Sequence, residues 1–185
     1  MEISELFFSL KPYIVAVHAA SAIAGMGAAL TSDIMFSFYS RDRIFDEREQ
    51  RVFENLSRII WISLIAIIIT GAALFLSDPV VYSASTKFLV KMTIVLALTL
   101  NGIVLSRWIQ PHIAQEGFLT SSTQRHARRI AFACGAISLT SWSLAFILGM
   151  IDSIPLSYTG AIISYLGLIG IAAFCAILIE HHSFE

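Results

Sequence analysis

Residues 59–77 read IIWISLIAIIITGAALFLS and contain no charged side chain between Arg58 and Asp78. Coiled at 1.5 Å per residue, such a stretch spans roughly 28 Å, about the thickness of a bilayer's hydrocarbon. It is solidly apolar and lacks the alternation of a barrel strand, so a membrane-crossing helix fits and a strand does not. Outward from it the same pattern recurs in Pro12–Ser32, Ile130–Ile151 and Ser153–Ile179, and in Phe88–Ser106, which only Lys91 interrupts. The chain is therefore expected to be an all-α integral membrane protein. Its single domain would be a bundle of five transmembrane helices over about residues 12–40, 56–77, 86–109, 127–151 and 156–180.

Composition agrees. Of 185 residues, 57% are hydrophobic and 14% charged, well below the quarter charged that soluble domains carry. Mean hydropathy is +0.78. A net charge of -1 gives no basic footprint, so the bilayer and not nucleic acid is the expected partner. The two cysteines, Cys134 and Cys175, lie in apolar runs without metal-like or CxxC spacing and are read as packing residues. Glu2 and Glu5 stand where a signal peptide would be basic, so the first apolar run is expected to be retained.

Arginines set the expected orientation. The segment 41–58 holds Arg41, Arg43, Arg48, Arg51 and Arg58; the segment 107–129 holds Arg107, Arg125, Arg128 and Arg129. The other two connections, with Pro79 and Pro155 at their turns, contain only Lys87. The positive-inside rule places both arginine-rich loops in the cytoplasm, the N-terminus outside and the C-terminus inside. Glu47 with Arg51, and Glu54 with Arg58, have i,i+4 spacing that would extend the second helix beyond the membrane. Pro111, Gly117 and the Thr120–Thr123 cluster read as a true loop. Arg58-Ile59 and Arg129-Ile130 open similar runs that end near Asp78 and Asp152, a weak parallel repeat that shared membrane composition explains equally well.

Polar groups at membrane depth carry the functional information, because each is costly unless paired or used. From Lys11, His18 lies about 10 Å down the first helix; from Lys87, Lys91 lies about 6 Å down the third. The two would meet if those helices were neighbours. Asp33 and Arg107 reach the opposite interface, about 33 and 30 Å along, so Asp33 is expected to pair with Arg58 or Arg107. His18, Ala22, Gly25 and Ala29 share one face of the first helix, lined with small residues. Such a face suits close helix packing, and equally leaves room for a flat ring beneath the histidine. His18 itself is a hydrogen-bonding residue, a haem ligand or a proton-handling group. His112, His126, His181 and His182 map to the other interface. Asn101, Ser141 and Trp142 are buried polar groups expected to bond between helices, and Trp61 and Trp108 to anchor at the interface.

There is no phosphate loop, nucleophile elbow, HExxH or potassium-filter sequence. The order Lys11-Pro-Tyr-Ile-Val-Ala-Val-His18 in helix one, with Lys87-Phe-Leu-Val-Lys91-Met and Arg107-Trp-Ile-Gln-Pro111 in helix three, distantly resembles two membrane families. These are the copper-resistance D type and the bacterial membrane protoporphyrinogen oxidases, which are haem b proteins; uncharacterised bacterial membrane proteins share the layout. The resemblance covers about Lys11 to Met150. It implies a bacterial inner-membrane protein with His18 as haem or metal ligand, Lys91 as partner to a propionate, and Ala22 and Gly25 beneath the ring. It departs at Leu100-Asn101-Gly102, where those oxidases carry further histidines, so a second ligand would have to be Met92 or Met150, or be absent.

Three functions stand at this point. One is electron transfer or redox chemistry on haem b near the outer face, with a redox partner. The second is proton-coupled, ion or small-solute transport along His18, Lys91 and Asn101. The third is a non-catalytic assembly or signalling subunit that uses its small face to form homo-oligomers or hold partner helices.

Overall fold

The structure, a computed structural model, describes residues 3–39, 46–113, 118 and 124–184. Glu2, Arg41, Arg43, Gly117, the Thr120–Thr123 cluster and Glu185 lie outside these residues. The described elements are α1 (Ile3–Tyr39), α2 (Glu47–Ser77), α3 (Pro79–Ala84), α4 (Thr86–Val104), a π-helical stretch (Leu105–Ile109), α5 (Gln110–Ile113), α6 (Arg125–Met150) and α7 (Tyr158–Phe184). Among them, five helical segments are long and apolar enough to cross a membrane: Phe7–Phe38, Glu47–Ser77, Thr86–Ile113, Arg125–Met150 and Tyr158–His182. Their outward faces carry large bare hydrocarbon groups, as at Ile62, Leu96, Ile163 and Phe174. Water would reject such a surface and lipid accepts it. The chain is a multi-pass membrane protein.

Local chemistry sets the helix limits. α1 begins ahead of Pro12, which sits inside it; a membrane helix tolerates the missing N–H because its neighbours and side chains re-satisfy the freed carbonyl. Asp46 caps α2 in a reciprocal box, accepting from the Arg48 N–H while its own N–H donates to Glu49 Oε2 at 3.0 Å. α2 thus starts well before its apolar run, as the charge spacing predicts. Of the two expected i,i+4 pairs, Glu47–Arg51 forms at 3.8 Å, and no ion pair joins Glu54 and Arg58 among the described residues. Asp78 then caps α3, with Pro79 in its first turn, and Ser85 caps α4.

α1 and α2 form a long antiparallel pair. His18 meets Thr70 and Gly25 meets Ser63, so seven residues forward on α1 is seven back on α2, the spacing of left-handed helix packing. α6 is the hub of the bundle, packing on α1, α4 and α7, while α4 also touches α7 and α2. α1 and α4 share no extended interface. The core along this hub contains Leu64, Ile94, Leu98, Trp142 and Tyr165.

At the end where the arginines gather, Arg128 Nε donates to Glu180 Oε1 at 2.7 Å and Arg129 Nε to Oε2 at 3.1 Å. The Arg128 and Glu180 side chains are 4% and 2% exposed. This cluster joins the start of α6 to the end of α7. Removing the carboxylate takes the ion pair from a buried guanidinium, which costs about 3–5 kcal/mol. Glu180→Ala is therefore expected to lower stability by that amount in mixed-micelle unfolding, and Arg129→Ala, which deletes the more exposed partner, by much less. Equal losses in the two variants would show that burial does not set the strength of the cluster.

Candidate functional site

The expected site residues fall at three levels along the bundle. At the lysine end, His18 Nδ1 lies 2.8 Å from Thr70 Oγ1, and Thr70 Oγ1 lies 2.6 Å from the Ala66 carbonyl. The hydroxyl has one proton and gives it to Ala66, so it accepts from His18. That fixes the Nδ1–H tautomer and leaves Nε2 with its lone pair. The ring rests against Gly71, its Cε1 3.7 Å from where a β-carbon would stand. Lys91 Nζ lies 3.9 Å from the β-carbon position of Gly149 on α6 and makes no ion pair with another side chain among the described residues. Lys87, one turn earlier, donates to the Ile151 carbonyl at 2.6 Å and so ties α4 to the end of α6.

The middle level is closed by an aromatic ring. A β-carbon on Gly25 would lie 2.4 Å from Trp142 Cη2 and 2.9 Å from Cζ3, with Ser63 Cβ at 3.0 Å. Glycine is required here because the indole occupies the space a side chain would need. The small face at Gly25 is thus filled by Trp142 of α6. A porphyrin does not fit on Gly25 in this packing, and a ring held by His18 would have to lie elsewhere on α1. Beside it, Ser141 gives its proton to the Ile137 carbonyl at 2.6 Å and receives one from the Tyr165 hydroxyl at 2.8 Å. Asn101 Nδ2 donates to the Cys134 carbonyl at 3.0 Å. The interhelical bonding expected of Asn101 and Ser141 is present, joining α6 to α4 and to α7.

The arginine end holds two adjoining cavities. The smaller, 380 Å³, runs between α1, α2, α4 and α6 from Gln50 and Glu54 inward to Asn101 and Trp142. The larger, 860 Å³, lies between α1 and α7 over α6 and includes Asp33, Phe36, Ser138 and Cys175. Ser32, Phe53, Ile60 and Ser138 belong to both walls. Both volumes suit a small organic molecule.

Asp33 departs from its expected role. Neither Arg58 nor Arg107 bonds to it among the described residues; both guanidinium side chains are exposed, where water serves them better than a half-buried acid. Asp33 instead faces α6, with Oδ1 3.1 Å from the β-carbon position of Gly135, and its buried Oδ2 has no hydrogen-bond partner. Trp61 departs too. Its Nε1–H turns inward to Ser106 Oγ at 3.0 Å across the π-helical stretch, and its ring covers Gly102, whereas Trp108 is 68% exposed as an interfacial anchor should be. His112, His126, His181 and His182 stay away from His18, and no group of three His, Cys, Asp or Glu able to hold a metal occurs among the described residues.

Sequence reasoning missed Glu180 and Thr70. Glu180 was detectable: it ends the last apolar run at the level where Arg128 and Arg129 open the run before it. Thr70 carries no such signal, since a lone threonine in an apolar helix usually bonds only to its own backbone.

Gly25→Ala drives a methyl into the indole and is expected to cost about 1–3 kcal/mol, read as a lower unfolding midpoint in mixed micelles. Adding Trp142→Phe should recover part of the loss; a single variant as stable as wild type would deny the contact. No family model, curated protein or solved structure matches the chain, so its function has to be read from these residues.

Proposed function

We propose that the chain is a permeation or transport protein for a small solute, loaded from the arginine end and closed at mid-depth by Trp142. The observation that carries this reading is the double placement of Trp142, which ends the smaller cavity and seats on Gly25. A path that is roomy on one side, sealed by one ring and polar beyond it has the layout of an occluded solute pathway. Past the ring lie Thr70, His18 and Lys91, the groups that would receive a solute once the indole moved. Asn101 lines the cavity side, while His18 and Lys91 stand on the far side of the ring. By the excess of arginine, the loaded end faces the cytoplasm and the lysine end faces outward, with the N-terminus outside and the C-terminus inside.

Ser138 belongs to both cavity walls and tests the reading directly. In a Cys134→Ala/Cys175→Ala background, Ser138→Cys should react with a membrane-impermeant maleimide only after the cytoplasmic side is opened. A cysteine at Ser153 should react from outside in intact cells. A Ser138→Cys thiol unreactive from either side would remove the water-filled cavity on which the reading stands. In liposomes swollen with small osmolytes, Trp142→Ala is expected to raise solute entry about threefold or more, on the order of 1 kcal/mol of barrier.

A second reading, haem b on His18, is supported by the tautomer Thr70 imposes, because Nε2 with a free lone pair is the form an iron ligand takes. Haem would supply one-electron chemistry, and the protein's part would be to hold Nε2 in place through Thr70. A Soret band in the purified wild type that His18→Ala abolishes would establish it; a featureless spectrum from haem-replete cells would discard it.

A further inference from the structure

The larger cavity pairs one acidic group with an aromatic wall. Asp33 has a buried oxygen without a hydrogen-bond partner, and neither arginine expected to neutralise it does so among the described residues. A carboxyl group left so at membrane depth either takes up a proton or is stabilised as the anion by a positive group that joins it. Phe36, Phe53 and Phe132 line the same cavity. Phe36 stands at 72° to Phe53 with centroids 6.3 Å apart, and at 77° to Phe132 at 5.4 Å. Rings set nearly perpendicular present negative faces in more than one direction, which is how aromatic surfaces hold quaternary or protonated amines.

We propose that this cavity binds an organic ammonium ion carried on an apolar body, with Asp33 as its counter-charge and the three phenylalanines as its cation-accepting wall. The proposal rests on the reading of the cavity as a solute site. An anion is opposed by Asp33, and a neutral solute can at most donate a hydrogen bond to the carboxylate without balancing its charge. A divalent metal would need several oxygen or nitrogen ligands, and no group of three metal-binding side chains gathers there among the described residues. The rest of the wall is small and apolar, with Ala172 and Ala176 on α7. Since α1 and α7 share no extended interface, an apolar body has room between them. The same ammonium chemistry occurs in a free amine and in the headgroup of phosphatidylethanolamine.

Benzyltrimethylammonium and its uncharged isostere neopentylbenzene separate charge from shape. By calorimetric titration of the full chain in neutral detergent, the cation is expected to bind saturably and the isostere roughly tenfold more weakly or not at all. Asp33→Asn should weaken the cation by about tenfold or more, and Phe36→Ala by about three- to tenfold. Equal binding of cation and isostere to wild type overturns the proposal even if no variant folds. So does equal cation binding by wild type and Asp33→Asn. If that happens while Ser138→Cys remains reactive, the cavity stands and only its charge preference falls; if the thiol is also unreactive, both readings fall. In nanodiscs, cation binding that phosphatidylethanolamine suppresses relative to phosphatidylglycerol assigns the ammonium to lipid. Binding indifferent to that exchange assigns it to a free solute.

Discussion

The close approach of Trp142 to Gly25 is the contact on which the bundle turns. α6 lays its indole directly against the α1 backbone at Gly25, where α1 offers no side chain. The indole is large enough to fill the gap among α1, α2 and α6 at a single level, so the helices can diverge on the arginine side without leaving the middle unpacked. A smaller residue at 142 would leave that level of the core unfilled. The packing of the middle of the bundle thus depends on one ring.

Polar groups do the work that hydrophobicity cannot do inside a bilayer. Lipid gives apolar helices no reason to prefer each other, so register comes from close packing and from bonds that have one satisfactory partner. Asn101 finds the Cys134 carbonyl, Tyr165 finds Ser141, and His18 finds Thr70. Each lies between different helices, and together they fix α4, α7 and α1 against their neighbours. Asp33 is the exception: its buried oxygen makes no such bond among the described residues.

The existence of the five spans was legible because hydrocarbon thickness imposes a length and a composition on each helix, and residues 59–77 satisfy both openly. The extension of α2 was legible from Glu47 and Arg51. The start of α1 was not, since Pro12 suggests a boundary in any sequence but ends nothing when a neighbouring helix takes up the loss. The site was legible in its parts and not in its arrangement. His18, Asp33 and Trp142 stand out as polar groups in apolar runs. Their partners depend on which helices touch, and a sequence read one helix at a time holds no information on that. The matching depths of His18 and Lys91 would bring them together only if helices one and three of the sequence were neighbours. α1 and α4 share no extended interface, and each packs on α6.

The Arg128–Glu180 bond also bears on how the chain is made. Helices enter the membrane in order, so Arg128 arrives with α6 while its carboxylate is still a full helix away in the sequence. Until α7 follows, Arg128 and Arg129 lack the carboxylate they share in the finished bundle. Glu180 lies near the end of α7 and enters last, permitting Arg128 to seat. Completion of the bundle is thereby coupled to completion of the final helix, because the carboxylate that ties the start of α6 to α7 stands near the chain's last described turn.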